Sequence, residues 1–129
     1  MKQENRQLKQ NYKLTKRPFG VVLIRNTTND KVFLTSGMNV PGLINRHEFQ
    51  LRANGHPNKE LQKDWNQLGR EKFAFEVLDQ MEPLETPSFD AKRELKFMEE
   101  MWLEKLEPFG ELGYNVAKNM KRKDEKSGR

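Results

Sequence analysis

The sequence predicts an α+β fold in which a small mixed or antiparallel three-stranded sheet is covered by helices. Three observations predict it. Two β-branched runs flank a polar turn, which is typical of a β-hairpin. Three later stretches repeat apolar residues at helical spacing, and one stretch between them alternates like a strand. The predicted order is therefore hairpin, two helices, a third strand, a third helix and a short closing strand.

The hairpin is predicted from GVVLIRNTTNDKVFLTSG, residues 20–37. An apolar strand over residues 19–24 leads into the segment NTTND, and the chain returns over residues 31–34. Asn and Asp suit such a turn because they tolerate the left-handed conformation and bond their own backbone. We expect a loop of about four or five residues between the strands.

Two helices are predicted after the hairpin. Residues 41–53 place Leu43, His47 and Leu51 on one helical face. The segment NGHPN ends this helix. A second helix over residues 58–68 stops before a glycine, which is a common helix terminator.

The second half of the chain supplies the third strand and the last helix. FAFEVL, residues 73–78, alternates aromatic or apolar residues with small or charged ones. A loop with two prolines follows over residues 82–89. Apolar residues then recur at core spacing over residues 91–106, and residues 114–116 form the predicted closing strand.

Composition bounds the classes of function. The chain has 129 residues, 34% of them apolar, which allows one domain with a modest core. It has no cysteine, so disulfides, zinc-thiolate sites and thiol nucleophiles are excluded. No apolar run approaches the roughly 18 residues of a membrane span, and no signal segment opens the sequence. We therefore expect a cytoplasmic protein without a membrane partner.

The net charge of +5 is unevenly distributed. Residues 1–17 carry six Lys or Arg and one acidic residue, and residues 118–129 carry six and two. The middle, residues 18–117, keeps 12 basic and 16 acidic residues. We predict a basic N-terminal arm, a folded domain and a basic C-terminal tail with these boundaries. The two ends either attract phosphate in a salt-sensitive manner or serve only solubility.

Four stretches in this order and spacing resemble the GIY-YIG nuclease superfamily, particularly its homing-endonuclease branch. They are the hairpin, then RHEFQLRANGHPNKELQKDWNQLG, then FAFEVL, then MEEMWLEKLEPFGELGYNV, so the resemblance covers about residues 20–117. It implies the fold above and hydrolysis of a DNA phosphodiester with one divalent metal. In that family a tyrosine helps to activate the metal-bound water, an arginine neutralises the phosphate and a glutamate holds the metal.

Carried over position by position, the resemblance implies that the chemical groups are lost. Val22 and Phe33 stand in place of the two motif tyrosines, Thr35 in place of the motif glycine, and Leu43 in place of the arginine. Losing a positioned acid or base costs on the order of 10²–10⁴ in rate. Losing a charge partner at the developing negative charge costs about 10²–10³. Either loss alone predicts a poor nuclease.

Other positions of the family site are retained. The resemblance implies that His47, Glu99 and Asn115 are what is left of the catalytic site, and His56 matches a further histidine. Glu99 would be the metal ligand, so a weakly held Mg²⁺ is the one cofactor expected. Each residue also has a structural interpretation: a half-buried histidine, a hydrogen-bonded carboxylate and an asparagine that bonds the backbone.

The residues predicted to contact DNA are basic. Arg46 lies one turn beyond Leu43, where a long guanidinium can swing towards the lost arginine position or remain a solvated surface group. The predicted set is Arg25, Arg46, Lys13, Lys16, Arg17, Lys121, Arg122 and Lys123.

These observations predict a GIY-YIG-like domain with impaired catalysis that binds nucleic acid or serves as an adaptor. One alternative is an active Mg²⁺-dependent DNA endonuclease, with Glu99 on the metal and His47 or Arg46 recruited. Another is a protein-interaction domain in which a partner or a second copy covers the apolar former site.

Overall fold

The computed structural model describes residues 17–116. The elements, in order, are β1 (Phe19–Asn26), β2 (Val32–Gly37), α1 (Val40–Arg52), α2 (Lys59–Leu68), a 3₁₀ turn (Arg70–Lys72), β3 (Phe73–Met81) and α3 (Ala91–Leu106). The predicted arm and tail lie outside the described residues except for Arg17. Lys13, Lys16, Lys121, Arg122 and Lys123 are outside them as well, so the predicted boundaries and these contacts stay predictions.

The sheet is three-stranded and antiparallel in the order β2-β1-β3, which confirms the predicted α+β class. On β1, Val22 faces Thr35 of β2 and Val77 of β3. The register on β3 shifts next to Val22, because Val21 faces Asp79 and leaves Leu78 as an extra residue. Leu78 keeps the face that the alternation of FAFEVL assigns to it, and beyond the bulge Asp79 and Met81, paired with Val21 and Phe19, share that face.

The two faces of the sheet carry different helices. Phe19, Val21 and Leu23 of β1 pack with Met98 of α3. The alternate residue Ile24 packs with Leu51, Leu61 and Trp65 of α1 and α2. Each fully buried aliphatic or aromatic side chain contributes about 1.5–3 kcal/mol, so both faces are needed for a core of this size. The helices α1 and α2 therefore cover one face, and α3 covers the other.

Side-chain caps fix where the helices begin, within one residue of the predicted starts. Asn39 Oδ1 accepts from the Gly42 N–H at 3.2 Å, and Asn58 Oδ1 accepts from the Leu61 N–H at 2.9 Å. Asp90 caps α3 in the same way. These bonds satisfy N–H groups that have no partner within the helix. Over residues 17–116, no helix is long and apolar enough to cross a membrane.

The closing strand predicted over residues 114–116 is replaced by isolated bridges. Gly113 bridges Val32 in the parallel sense, and the Tyr114 N–H donates to the Val32 carbonyl at 2.8 Å. The Asn115 N–H turns away to the Pro108 carbonyl. A regular strand does not continue because the Asn115 backbone is engaged there, and only its side chain reaches β2.

Candidate functional site

Two of the positions at which the resemblance implies a lost chemical group, Val22 of β1 and Leu43 of α1, lie together. Val22 and Leu43 share one apolar cluster with Val40, and their side chains are only 1% and 3% exposed. Thr35 faces Val22 across the β1–β2 ladder. The places that carry a tyrosine and an arginine in the resembled family thus form a closed apolar corner of this chain's own core.

The third such position, Phe33, packs against two histidines. Its ring centroid lies 5.8 Å from that of His47 and 5.5 Å from that of His56, with the second pair edge to face. Both histidines are buried, at 7% and 2% exposure. The structural interpretation from the sequence was a half-buried His47, and the ring is more deeply buried than that.

A directional chain of hydrogen bonds runs through the two rings. The Asn58 N–H donates to His56 Nδ1 at 3.0 Å, so that nitrogen is an acceptor and the His56 proton lies on Nε2. His56 Nε2 then donates to His47 Nδ1 at 2.8 Å. The remaining proton of His47 must lie on Nε2, which is 3.4 Å from the Thr35 hydroxyl oxygen. The backbone amide of Asn58 therefore determines the tautomer of both rings.

Burial keeps the pair uncharged. Together with the nearby positive charges of His56, when protonated, and of Arg46, burial lowers the pKa of His47 to about 4, and burial is the largest of these causes. Burial also lowers the pKa of His56. At neutral pH His47 thus presents an N–H rather than a lone pair to Thr35. A general base would need the opposite tautomer.

Glu99 belongs to the other side of the sheet. It is partly buried on α3, and the preceding residue, Met98, packs on the face opposite to His47. Within residues 17–116 its carboxylate makes no hydrogen bond or ion pair with His47, His56 or any other residue. In the same range no three His, Asp or Glu side chains form a group able to hold a metal. A lone carboxylate fits only a Mg²⁺ ion that keeps most of its waters.

Asn115 bonds the backbone of β2 at both ends of its amide. Its Nδ2 donates to the Leu34 carbonyl at 2.9 Å, and its Oδ1 accepts from the Leu34 N–H at 2.8 Å. The side chain therefore imitates a neighbouring strand. This geometry agrees with the structural interpretation of Asn115, whose polar atoms are both engaged.

Sequence reasoning missed the structural importance of Tyr114 and Asn58. The buried Tyr114 hydroxyl donates to Asp64 at 2.6 Å and accepts from Asn26 Nδ2 at 2.9 Å, and burial raises the pKa of this phenol. Asn58 Nδ2 donates to the Tyr114 carbonyl at 2.7 Å. Asn58 thus links the closing segment to His56. An asparagine at a predicted helix start is the signal that would have indicated its capping role.

The two described internal arginines of the DNA-contact prediction differ in their partners. Arg25 Nε and Nη2 donate to the Glu76 carboxylate at 2.8 and 3.2 Å. Arg46 is exposed and has no ion pair within residues 17–116. It lines an open depression of about 370 Å³ together with Gly37, Met38, Asn39, Gly42 and Leu43. Arg17, at the start of the described range, is also exposed.

Comparison with known proteins gives a consistent picture. No protein-family model matches the sequence, and the search of curated proteins gives no significant match. Among solved structures, the catalytic domain of homing endonuclease I-TevI superposes with a TM-score of 0.62 at 25% sequence identity, covering 77% of this chain and 98% of that one. A glutamate-to-alanine mutant of the same intron-endonuclease domain gives 0.63 and 25%, covering 78% and 94%.

Proposed function

Because the chain has the fold of the GIY-YIG homing-endonuclease catalytic domain, we propose that it is a DNA-binding domain of this fold with little or no hydrolytic activity. The observation that carries the proposal is the closed apolar corner. Val22 and Leu43 occupy it with almost no exposure, and Phe33 is packed against two neutral histidines. Hydrolysis requires polar groups at the reaction site, and at the corresponding positions this chain has buried apolar side chains.

The remaining polar groups do not substitute for the missing ones. A hydrolytic step needs a group that accepts a proton from water and a cation that faces the scissile phosphate. His47 holds its own proton at Nε2, because Asn58 and His56 orient its tautomer. The guanidinium of Arg25 is paired with Glu76. If Mg²⁺ is bound, Glu99 would hold it, and the ion would supply positive charge at a phosphate.

The charge of the described part supports binding of DNA on one side. Residues 38–72, which contain α1 and α2, carry six basic and four acidic residues. Residues 73–116, which contain α3, carry four basic and eleven acidic residues. A polyanion is attracted to the first half and repelled by the second. Glu99 belongs to the acidic range, residues 73–116, whereas the proposed DNA-binding surface belongs to residues 38–72.

The interaction-domain alternative draws less support from the apolar corner. Val22 packs against Val40 and Leu43 of α1 and all three are almost fully buried, so that corner offers almost no apolar surface to a partner. The outer face of α3 does expose Phe97 and Met101, at 63% and 41%. Such exposure keeps protein binding as an outcome of the test below.

The test is a combined cleavage and mobility-shift assay on the full chain. Supercoiled plasmid is incubated with Mg²⁺ or Mn²⁺ and either the wild-type chain or Glu99→Ala, with the I-TevI catalytic domain as a positive control for cutting. We expect retarded plasmid without nicking for both proteins. Metal-dependent nicking that disappears in Glu99→Ala would instead identify an active endonuclease. Absence of both nicking and retardation would contradict the proposal and favour a protein partner.

A further inference from the structure

The depression beside Leu43 has donors that nothing else uses. It opens between the end of β2 and the first turns of α1. Arg46 has no ion pair within residues 17–116, and Asn39 uses only its Oδ1, as the cap of Gly42. The Asn39 Nδ2 group therefore keeps its protons available at the same surface. The two side chains offer a cationic fork and a neutral amide donor to one ligand.

The backbone of α1 does not compete for that ligand. The Val40 N–H donates to the Pro18 carbonyl at 2.9 Å, and the Leu43 N–H donates to the Asn39 carbonyl at 2.8 Å. The Gly42 N–H is bound by the cap, and Pro41 has none. Because these N–H groups already have partners, a ligand in the depression would be bound by side chains. Substituting those side chains should therefore change the affinity for the ligand.

Two glycines help to shape the depression. A Cβ added at Gly42 would lie 2.8 Å from Asn39 Nδ2, and one added at Gly37 would lie 3.2 Å from the Leu43 side chain. The two glycines thus leave room for the cap amide and for Leu43.

The charge around the depression favours an anion. It lies on α1, in the half of the described chain where basic residues outnumber acidic ones.

We propose that this depression binds a single phosphate of the DNA backbone, held by the guanidinium of Arg46 and the side-chain amide of Asn39. The inference rests on the proposed function, which it makes specific by naming the phosphate site. Arg46 approaches the phosphate from outside the core and leaves Leu43 packed against Val22. The chain thus holds DNA at a surface that neither needs nor contacts Glu99.

The experiment measures the affinity of the full chain for a labelled duplex by fluorescence anisotropy at several salt concentrations. Arg46→Ala should weaken binding about tenfold at 0.1 M salt and reduce the salt slope by about one. Arg46→Lys should lose less, because it keeps the charge but not the fork. Arg52→Ala is the matched control on the same helix, since Arg52 pairs with Glu48. We expect it to leave affinity within about twofold, because an ion-paired cation releases fewer DNA counterions.

Asn39→Asp separates binding from folding. Aspartate caps a helix as well as asparagine does, so the unfolding midpoint should not change. The new carboxylate should nevertheless repel the phosphate and weaken DNA binding several-fold. If Arg46→Ala proves unstable, the DNA affinity of Asn39→Asp tests the phosphate site on its own.

The outcomes distinguish the two proposals. A wild-type chain that binds no DNA contradicts the proposed function and this inference together. A wild-type chain that binds DNA, with Arg46→Ala and Asn39→Asp both indistinguishable from Arg52→Ala, overturns the phosphate site and leaves the proposed function standing. Loss confined to Arg46→Ala and Asn39→Asp supports the site.

Discussion

His56 donates its Nε2 proton to Nδ1 of His47 across 2.8 Å, between two rings whose centroids are 5.0 Å apart. A proton added to His56 Nδ1 would point at the Asn58 N–H, so two donors would face each other. A proton added to His47 Nδ1 would in the same way face the Nε2–H of His56. Each ring therefore resists a second proton through its own partner. Burial adds to this resistance, since a charge inside the core is poorly solvated.

The first prediction is a loss of stability in mild acid. The pKa of His47 is about 4 in the folded protein against 6.5 for an exposed histidine, so the unfolded chain binds more protons between these values. This contribution to the free energy of unfolding is fully present above about pH 6.5 and falls progressively towards pH 4. It amounts to on the order of 3 kcal/mol for His47. Urea unfolding at a series of pH values measures it.

A double variant, His47→Gln with His56→Gln, is the control for that series. Carboxylates also titrate in acid, and the pKa of Glu76 is lowered chiefly by its hydrogen bond with Arg25. The double variant retains those groups and loses both imidazoles. The difference between the two profiles should therefore be concentrated between about pH 6.5 and 4. Parallel profiles would show that the histidines are not buried as a neutral pair.

The second prediction concerns the position of the ring protons. Nitrogen-15 NMR of the imidazoles at pH 7 should show both His47 and His56 as the neutral Nε2–H tautomer, because the Asn58 amide fixes the order of donors. Replacing Thr35 by valine removes the contact at the end of the chain and should leave both tautomers unchanged. A proton found on Nδ1 of His47 would contradict the assigned direction and restore His47 as a candidate base.

The sequence predicted the elements whose pattern is local. The helix over residues 91–106 has the predicted bounds because its apolar spacing, its Asp90 cap and its preceding loop are all adjacent in the chain. The hairpin was predicted for the same reason, although β2 continues to Gly37. The bulge at Leu78 was not predicted, because a bulge depends on how β3 pairs with β1 and those strands are far apart in the sequence.

The candidate site was only partly predictable. Helical spacing placed His47 on the face of Leu43 and Leu51, and all three are buried there. The His47–His56 bond escaped prediction because a loop separates the two rings and no periodic pattern spans it. The role of Asn115 in bonding β2 was one of two interpretations. The sequence has no signal that distinguishes an amide that bonds a backbone from one that bonds a substrate.

The third prediction tests the closing segment. Tyr114→Phe removes the hydroxyl that links Asp64 and Asn26, and leaves the buried Asn26 amide without that partner. We expect a loss of about 1–3 kcal/mol in the free energy of unfolding. Leu112→Ala, in the same segment but 58% exposed, should cost about 0.5 kcal/mol or less. Equal losses from the two variants in urea unfolding would exclude a specific contribution of the hydroxyl.

The fourth prediction contrasts Arg25 with Arg46 in DNA binding. The Arg25 guanidinium is already engaged by Glu76 and lies 3.8 Å from Asp30, so little of its charge is available to phosphate. Arg25→Ala should change DNA affinity by less than about twofold, because it releases few counterions. It should reduce stability by at most about 1 kcal/mol, since the pair is partly exposed. A tenfold loss of affinity in anisotropy titrations would show that Arg25 exchanges Glu76 for DNA.

The last prediction concerns Mg²⁺. Within residues 17–116 Glu99 belongs to no group of three His, Asp or Glu side chains able to hold a metal, and Mg²⁺ gives up its waters reluctantly, so we expect a dissociation constant no tighter than about 10 mM. At 10 mM Mg²⁺ such a site stabilises the fold by only about 0.4 kcal/mol. The melting temperature in 10 mM MgCl₂ should therefore match that in EDTA at equal ionic strength, for both the wild-type chain and Glu99→Gln. A rise of several degrees with Mg²⁺ in the wild-type chain alone would demonstrate a formed metal site at Glu99. It would then favour the active-endonuclease alternative over a domain that only binds DNA.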